Sequence, residues 1–200
     1  MRVKTEAKRE SILEIAAQVF QEMGYERTSM DEIAARMGGS KVTLYSYFPS
    51  KQDLFLGVTI YIGNRHLGPA FDELVPGAAD LPRVLRRFGE KFVSFICTPE
   101  ATGGYRMVVA QAGTTDIGRR FFELGPQRGE ATVAAFLQAE MESGRLKQAD
   151  PAIAAMHLQG LLSSETMNRT LMGVSAAPTR QQIKQIVERT VAVFLAAYAA

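Results

Sequence analysis

The sequence predicts an all-α protein, with an N-terminal three-helix helix-turn-helix domain followed by a larger helical domain. Three observations carry this expectation. Apolar residues recur at three- and four-residue steps almost throughout. The stretches they define are bounded by capping residues, glycine and proline. No segment sustains the period-two alternation of a strand. The boundary is placed to give domains 1–50 and 51–200.

In the first segment Ile12, Ala16, Val19, Phe20 and Met23 form one apolar stripe, and Gly24 is placed to end the helix. Thr28-Ser29-Met30-Asp31-Glu32 then offers two overlapping capping boxes, Thr28 with Asp31 and Ser29 with Glu32. Met30, Ile33, Ala34 and Met37 repeat as one face of a two-turn helix, which Gly38-Gly39 breaks. Ser40 is a cap for a third helix through Leu44 to about Tyr47 or Phe48, stopped before Pro49. Ser50, with Asp53 three residues on, opens a longer helix to about Leu67, closed by Gly68-Pro69. Residues 68–80 read as a loop, and further helices are expected at 81–97, 103–112 and 116–143, the last interrupted near Gly125-Pro126. Asp150-Pro151 begins a helix reaching Met172-Gly173. Thr179 with Gln182 caps the last one, whose face carries Ile183, Ile186, Val187, Thr190 and Phe194.

Composition narrows the function classes. With 200 residues, 46% hydrophobic and 22% charged, the chain is long enough for a sizeable core. The single Cys97 leaves no internal disulfide and fits a reducing compartment. His66, His157 and Cys97 are the only soft ligands and show no clustered spacing, so neither a metal site nor a cofactor is expected. The start has no apolar stretch of a signal peptide, and no run of about 18 apolar residues offers a membrane span. A cytoplasmic protein is expected. Gly38-Gly39-Ser40-Lys41 lacks the first glycine and spacer of a phosphate loop, no G-x-S-x-G occurs, and the acidic residues form no obvious pair. The expectation is therefore no enzyme.

Net charge is only +2, but residues 1–9 hold Arg2, Lys4, Lys8 and Arg9 against Glu6. Such an arm either touches phosphates or is simply a solvated terminus. The third helix says more. On a helical wheel Leu44 and Phe48 share one side, while Val42 and Ser46 lie nearly opposite, flanked by Tyr45 and Thr43. A valine and a tyrosine among small hydroxyls suit a DNA major groove, where valine meets a thymine methyl and hydroxyls bond base edges or phosphates. Lys41 and Lys51 bracket this helix with positive charge.

These residues, Thr28 to Ala34 and then Ser40-Lys41-Val42-Thr43-Leu44-Tyr45-Ser46-Tyr47-Phe48-Pro49-Ser50-Lys51, resemble the DNA-binding domain of TetR/AcrR-type transcriptional regulators. The resemblance covers about residues 8–55, a quarter of the chain. It departs from the family pattern at Gly38-Gly39, in the turn, and at Val42, where glycine is common. The resemblance implies that Thr28 caps the second helix with its amide end toward a phosphate. It implies that Lys41 touches bases or backbone, that Val42, Thr43 and Tyr45 read the groove, and that Tyr47 and Lys51 hold phosphates. Ser40 is either a cap or a contact, and Tyr47 either a contact or part of the core.

The resemblance further implies a ligand-binding and dimerisation domain after the DNA-binding one, in a regulator that is usually a repressor. Candidate ligand contacts are His66, Phe88, Phe92, Phe95, Met107 and Phe122, which suit a small, mostly apolar effector; aromatics at helical spacing also serve as plain core. A homodimer on a palindromic DNA operator is expected, its interface formed mainly by Met156, Leu161, Leu162, Ile183, Ile186, Val187 and Phe194. The alternative is a helical ligand-binding or interaction module without DNA binding.

Overall fold

The computed structural model describes residues 5–200, so Arg2 and Lys4 of the basic arm lie outside the described residues. The described chain is helical: α1 (Glu6–Met23), α2 (Met30–Arg36), α3 (Lys41–Tyr47), α4 (Lys51–Phe71), α5 (Leu81–Ile96), α6 (Pro99–Ala112), α7 (Ile117–Leu124), α8 (Pro126–Glu142), α9 (Pro151–Ser164), α10 (Met167–Leu171) and α11 (Arg180–Tyr198). Among the described residues the extended pairing is a single bridge, Leu146 with Ala199.

Local chemistry sets most of the boundaries. Thr5 caps α1, accepting from the Lys8 N–H, and Gly24 ends it. Ser40 caps α3, Asp150 caps α9, and Thr179 with Gln182 forms the capping box of α11. Gly38, at φ 59°, makes the turn between α2 and α3 in a conformation that side chains with a Cβ avoid.

Three boundaries differ from expectation. Helix α4 continues through Gly68-Pro69 to Phe71. Proline so close to the end removes only its own N–H from the ladder, and the Asp72 N–H still reaches the Gly68 carbonyl at 3.0 Å. Helix α6 begins at Pro99, where Thr98 Oγ1 accepts from the Ala101 N–H. The helix expected from 151 to 172 is two, α9 and α10, separated at Glu165-Thr166. Ser163 and Ser164 there donate to the carbonyls of Gly160 and Leu161, competing with the backbone ladder.

The chain forms two compact units, one of residues up to 62 with 107–121, the other of 63–106 with 122–200. The first is thus larger than the 1–50 segment expected. Its core joins Ile12, Leu13, Ala16, Val19 and Phe20 of α1 to Met30, Ile33, Leu44, Phe48, Leu54, Phe55 and Val58. Val108 and Ile117 belong to the same core. The rings of Phe20, Tyr25 and Phe55 meet edge-on or stacked at 5.1–5.9 Å. The second unit is built mainly on α5, α8, α9 and α11 around Leu85, Phe88, Leu137, Leu158, Leu162, Val187 and Phe194. There the buried Glu140 carboxylate pairs with Arg145 at 2.5 Å and accepts from the Gly77 N–H at 3.1 Å, tying two loops together.

Gly57 in α4 sits where three parts of the first unit converge. A Cβ at this position would lie 2.8 Å from the Phe48 ring and 3.1 Å from Leu13 Cδ2. Helix propensity alone would make alanine stabilising here, but both neighbours are buried and cannot swing away. The steric cost wins. Gly57→Ala is expected to lower stability by about 1–3 kcal/mol, read as a lower urea midpoint at unchanged slope.

Candidate nucleic-acid interface

Helix α3 is positioned by what it buries. Leu44 is fully buried and Phe48, just past the helix end, is 4% exposed. The opposite face is open: Val42 is 79% exposed and Tyr45 45%. Ser46 is exposed as well, its hydroxyl donating to the Thr43 carbonyl at 2.7 Å. A side chain as apolar as Val42, displayed so fully beside a tyrosine, departs from the Lys- and Glu-rich surface of a solvated helix. Such a face can meet the methyl groups and edges of bases.

The remaining expected contacts divide. Ser40 is the cap of α3: its Oγ accepts from the Thr43 N–H at 3.2 Å and lies 3.0 Å from Thr43 Oγ1, so both hydroxyls are engaged at the helix start. Lys41 is exposed beside Val42, with its Nζ 2.7 Å from Asp31 Oδ2. Tyr47 packs partly on the core, and its hydroxyl accepts from the Thr5 N–H at 2.9 Å.

Two implied roles need correction. Thr28 is buried and donates to the Gly24 carbonyl at 2.7 Å, so it closes the turn after α1; Ser29 caps α2, accepting from the Glu32 N–H at 3.1 Å. Lys51 donates from Nζ to the carbonyls of Tyr25 and Glu26 at 2.9 and 3.4 Å and lies 4.3 Å from the Tyr25 ring centroid. Its ammonium therefore fastens α4 to the α1–α2 turn.

The start of α4 is held by the expected Ser50–Asp53 cap and by two distant groups that sequence reasoning missed, Arg120 and Thr115. Ser50 accepts from the Asp53 N–H at 3.0 Å and donates to Asp53 Oδ2 at 2.6 Å. Asp53 also pairs with Arg120 of α7 at 2.7 Å, and Gln52 donates to Thr115 at 3.0 Å. The Ser50 hydroxyl, with Arg120 in support, holds the Asp53 carboxyl below its ordinary range. Arg120 lies 67 residues from Asp53, beyond any local motif.

The expected effector contacts differ in their surroundings. Phe88 is fully buried in the core, between Phe71 and Phe92 at 5.9 and 5.6 Å. His66 is exposed and stacks on Phe95 at 5.4 Å, Phe122 is 45% exposed, and Met107 belongs to the first unit. The expected dimer residues also need correction. Leu162, Val187 and Phe194 are fully buried, and Ile183 and Ile186 nearly so, within their own chain. Leu161 is half-buried, and Met156 is exposed with Ile153 and Val193. A shallow apolar groove between α9 and α11 is lined by Met156, Leu161, Val193, Phe194 and Tyr198.

A short helix seated by Leu44 and Phe48, with Val42 and Tyr45 exposed and α1 and α2 packed beside it, defines a helix-turn-helix transcriptional regulator. Residues 12–58 match the tetR family of bacterial regulatory proteins, and residues 83–200 match the C-terminal domain of AefR-like transcriptional repressors. The chain belongs to the TetR family of transcriptional regulators. The HTH-type transcriptional activator FasR of Mycolicibacterium smegmatis is 36% identical over 54% of this chain, and the match spans about half (48%) of FasR. The HTH-type transcriptional regulator EthR of the same organism is 29% identical over 80% of this chain and 73% of its own. A solved TetR-family regulator from Mesorhizobium loti superposes with a TM-score of 0.87 at 26% identity, covering 98% of this chain and all of the other. No described helix is long and apolar enough to cross a membrane, and the described residues hold no cluster of metal-ligating side chains.

Asp53 gives a pH test with a definite sign. A carboxyl depressed on folding contributes stability above its unfolded value, 3.8, and that contribution fades as pH falls through the folded value. Asp53→Asn is expected to cost about 1–2 kcal/mol near pH 7, with the gap to wild type closing below about pH 4. Urea titrations of both chains across pH 3–7 (roughly the range over which carboxylates titrate) check this.

Proposed function

We propose that this chain is an operator-binding repressor that acts in the cytoplasm as a homodimer and is released from DNA by a small, mostly apolar effector. The observation that carries the DNA reading is the exposed Val42–Tyr45 face opposite the buried Leu44. Val42 and Tyr45 read the groove, with Ser46 beside them and Lys41 turned to the DNA backbone, while Ser40 and Thr43 shape the helix start. Tyr47 holds the start of α1, and Thr28 and Lys51 hold the module together.

The repressor assignment is supported by the match of residues 83–200 to the AefR-like repressor domain. Dimerisation is supported by the apolar groove between α9 and α11, whose exposed Met156 and Val193 leave a surface that a second copy buries. A two-fold pair then sets two α3 helices in successive major grooves, and the operator is palindromic. The effector acts by binding one arrangement of the dimer better than the other. Its apolar character is supported by the aromatic content of the second unit, in which Phe71, Phe88, Phe92 and Phe95 fall on α4 and α5.

Selection of bound fragments from random DNA is the deciding experiment, and an enriched inverted repeat is the expected result. Tyr45→Ala should lower affinity for the recovered operator by about 1–3 kcal/mol without changing the thermal midpoint. Wild-type affinity in that variant contradicts the groove assignment.

A charge in the groove between the long helices checks the assembly. Val193→Glu is expected to convert the dimer to a monomer in light scattering and to abolish operator binding, while helical content stays unchanged. A variant that remains dimeric rules this face out.

A further inference from the structure

Among the described residues, most cations of the DNA-binding unit are already held by the protein's own groups. Arg36 is paired with both Glu22 and Glu32, at 2.5 and 3.0 Å. Arg9 meets Glu6 at 3.4 Å, Arg27 donates from Nε to the Met23 carbonyl at 2.9 Å, and Lys51 is committed to two carbonyls. On α3 the single charged residue is Lys41, and its ammonium sits 2.7 Å from Asp31. Both side chains of that pair are more than half exposed. The pair therefore lies on open surface, next to the fully displayed Val42.

An exposed pair of this kind is weak and exchanges partners readily. A DNA phosphate competes with the Asp31 carboxylate for one ammonium, and the carboxylate left behind repels the same phosphate. We infer that Asp31 is a specificity-determining residue. By neutralising Lys41 it offsets about one phosphate contact in every DNA complex, leaving discrimination to the short-range contacts of Val42, Tyr45 and Ser46. The inference rests on the proposed reading of DNA by α3. Backbone attraction is blind to sequence and raises affinity for all sites alike. Suppressing it widens the ratio between operator and random DNA without adding any contact to the operator.

The test uses the whole chain, the operator recovered by selection, and a random duplex of equal length, with affinities read by fluorescence anisotropy from 50 to 200 mM salt (about the range over which phosphate contacts are strongly salt-dependent). Asp31→Asn is expected to bind the random duplex more tightly at the lowest salt. Its slope of log affinity against log salt should steepen by about one unit. That advantage over wild type then shrinks roughly three- to fourfold across the range, as one added phosphate contact requires. Adding Lys41→Gln to Asp31→Asn should return the slope to the wild-type value. Asp31→Ser serves as a second variant, because serine is also accommodated in a first helical turn. An unchanged slope, weaker binding to both duplexes, or an effect that survives Lys41→Gln overturns the inference. A wild-type chain that enriches no operator overturns the proposed function instead, and the random-duplex slopes still decide the role of Asp31.

Discussion

The seating of α3 through Leu44 and Phe48 governs the DNA-binding unit, because a seven-residue helix has no stability of its own. Burying two such side chains contributes about 1.5–3 kcal/mol each, enough to hold two turns in one orientation. Phe48 lies against the close approach at Gly57, with the Arg9 guanidinium 5.5 Å from its ring centroid. Orientation matters more here than strength. With Leu44 turned inward, helical geometry turns Val42 and Tyr45 outward, and no further device is needed to display them.

Charge in this unit serves placement more than attraction. Lys51 secures the α1–α2 turn, Arg36 joins α2 to α1 through Glu22, and Arg120 braces the start of α4 through Asp53. Each spends a cation on geometry that a phosphate could otherwise have used. The net charge of +2 already hints at this economy, since a protein that held DNA mainly by its backbone would carry a larger excess.

Caps and turns proved legible because they are local. Ser40, Asp150 and Thr179 act within three residues of themselves, and their side chains have one obvious use. Where two candidates stood side by side, as Thr28 and Ser29 do, adjacency could not say which hydroxyl faces the helix and which the preceding turn. The exposed face of α3 was legible for a similar reason, since its one buried stripe is narrow. The long helices were harder. Leu162, Val187 and Phe194 fall on the apolar faces of α9 and α11, but periodicity marks a face as apolar without naming the neighbour that covers it. These residues turned out to be spent on their own chain's core, and the surface left over is the rim of Met156 and Val193. Ion pairs such as Asp53 with Arg120 have no sequence signature at all, because their partners are brought together only by folding.

The family boundary and the physical boundary differ in one place. Residues 107–121 lie within the stretch that matches the C-terminal domain, yet Val108 and Ile117 sit in the core shared with α1–α4. This matters to anyone who would exchange parts between relatives. A head cut at residue 58, where the N-terminal family match ends, leaves behind two buried apolar side chains and the Arg120 partner of Asp53. Such a fragment carries an unsealed apolar hole and an unanswered carboxylate. The transferable piece is discontinuous in the chain, so a graft must bring a receptor's own 107–121 along with the head it supports.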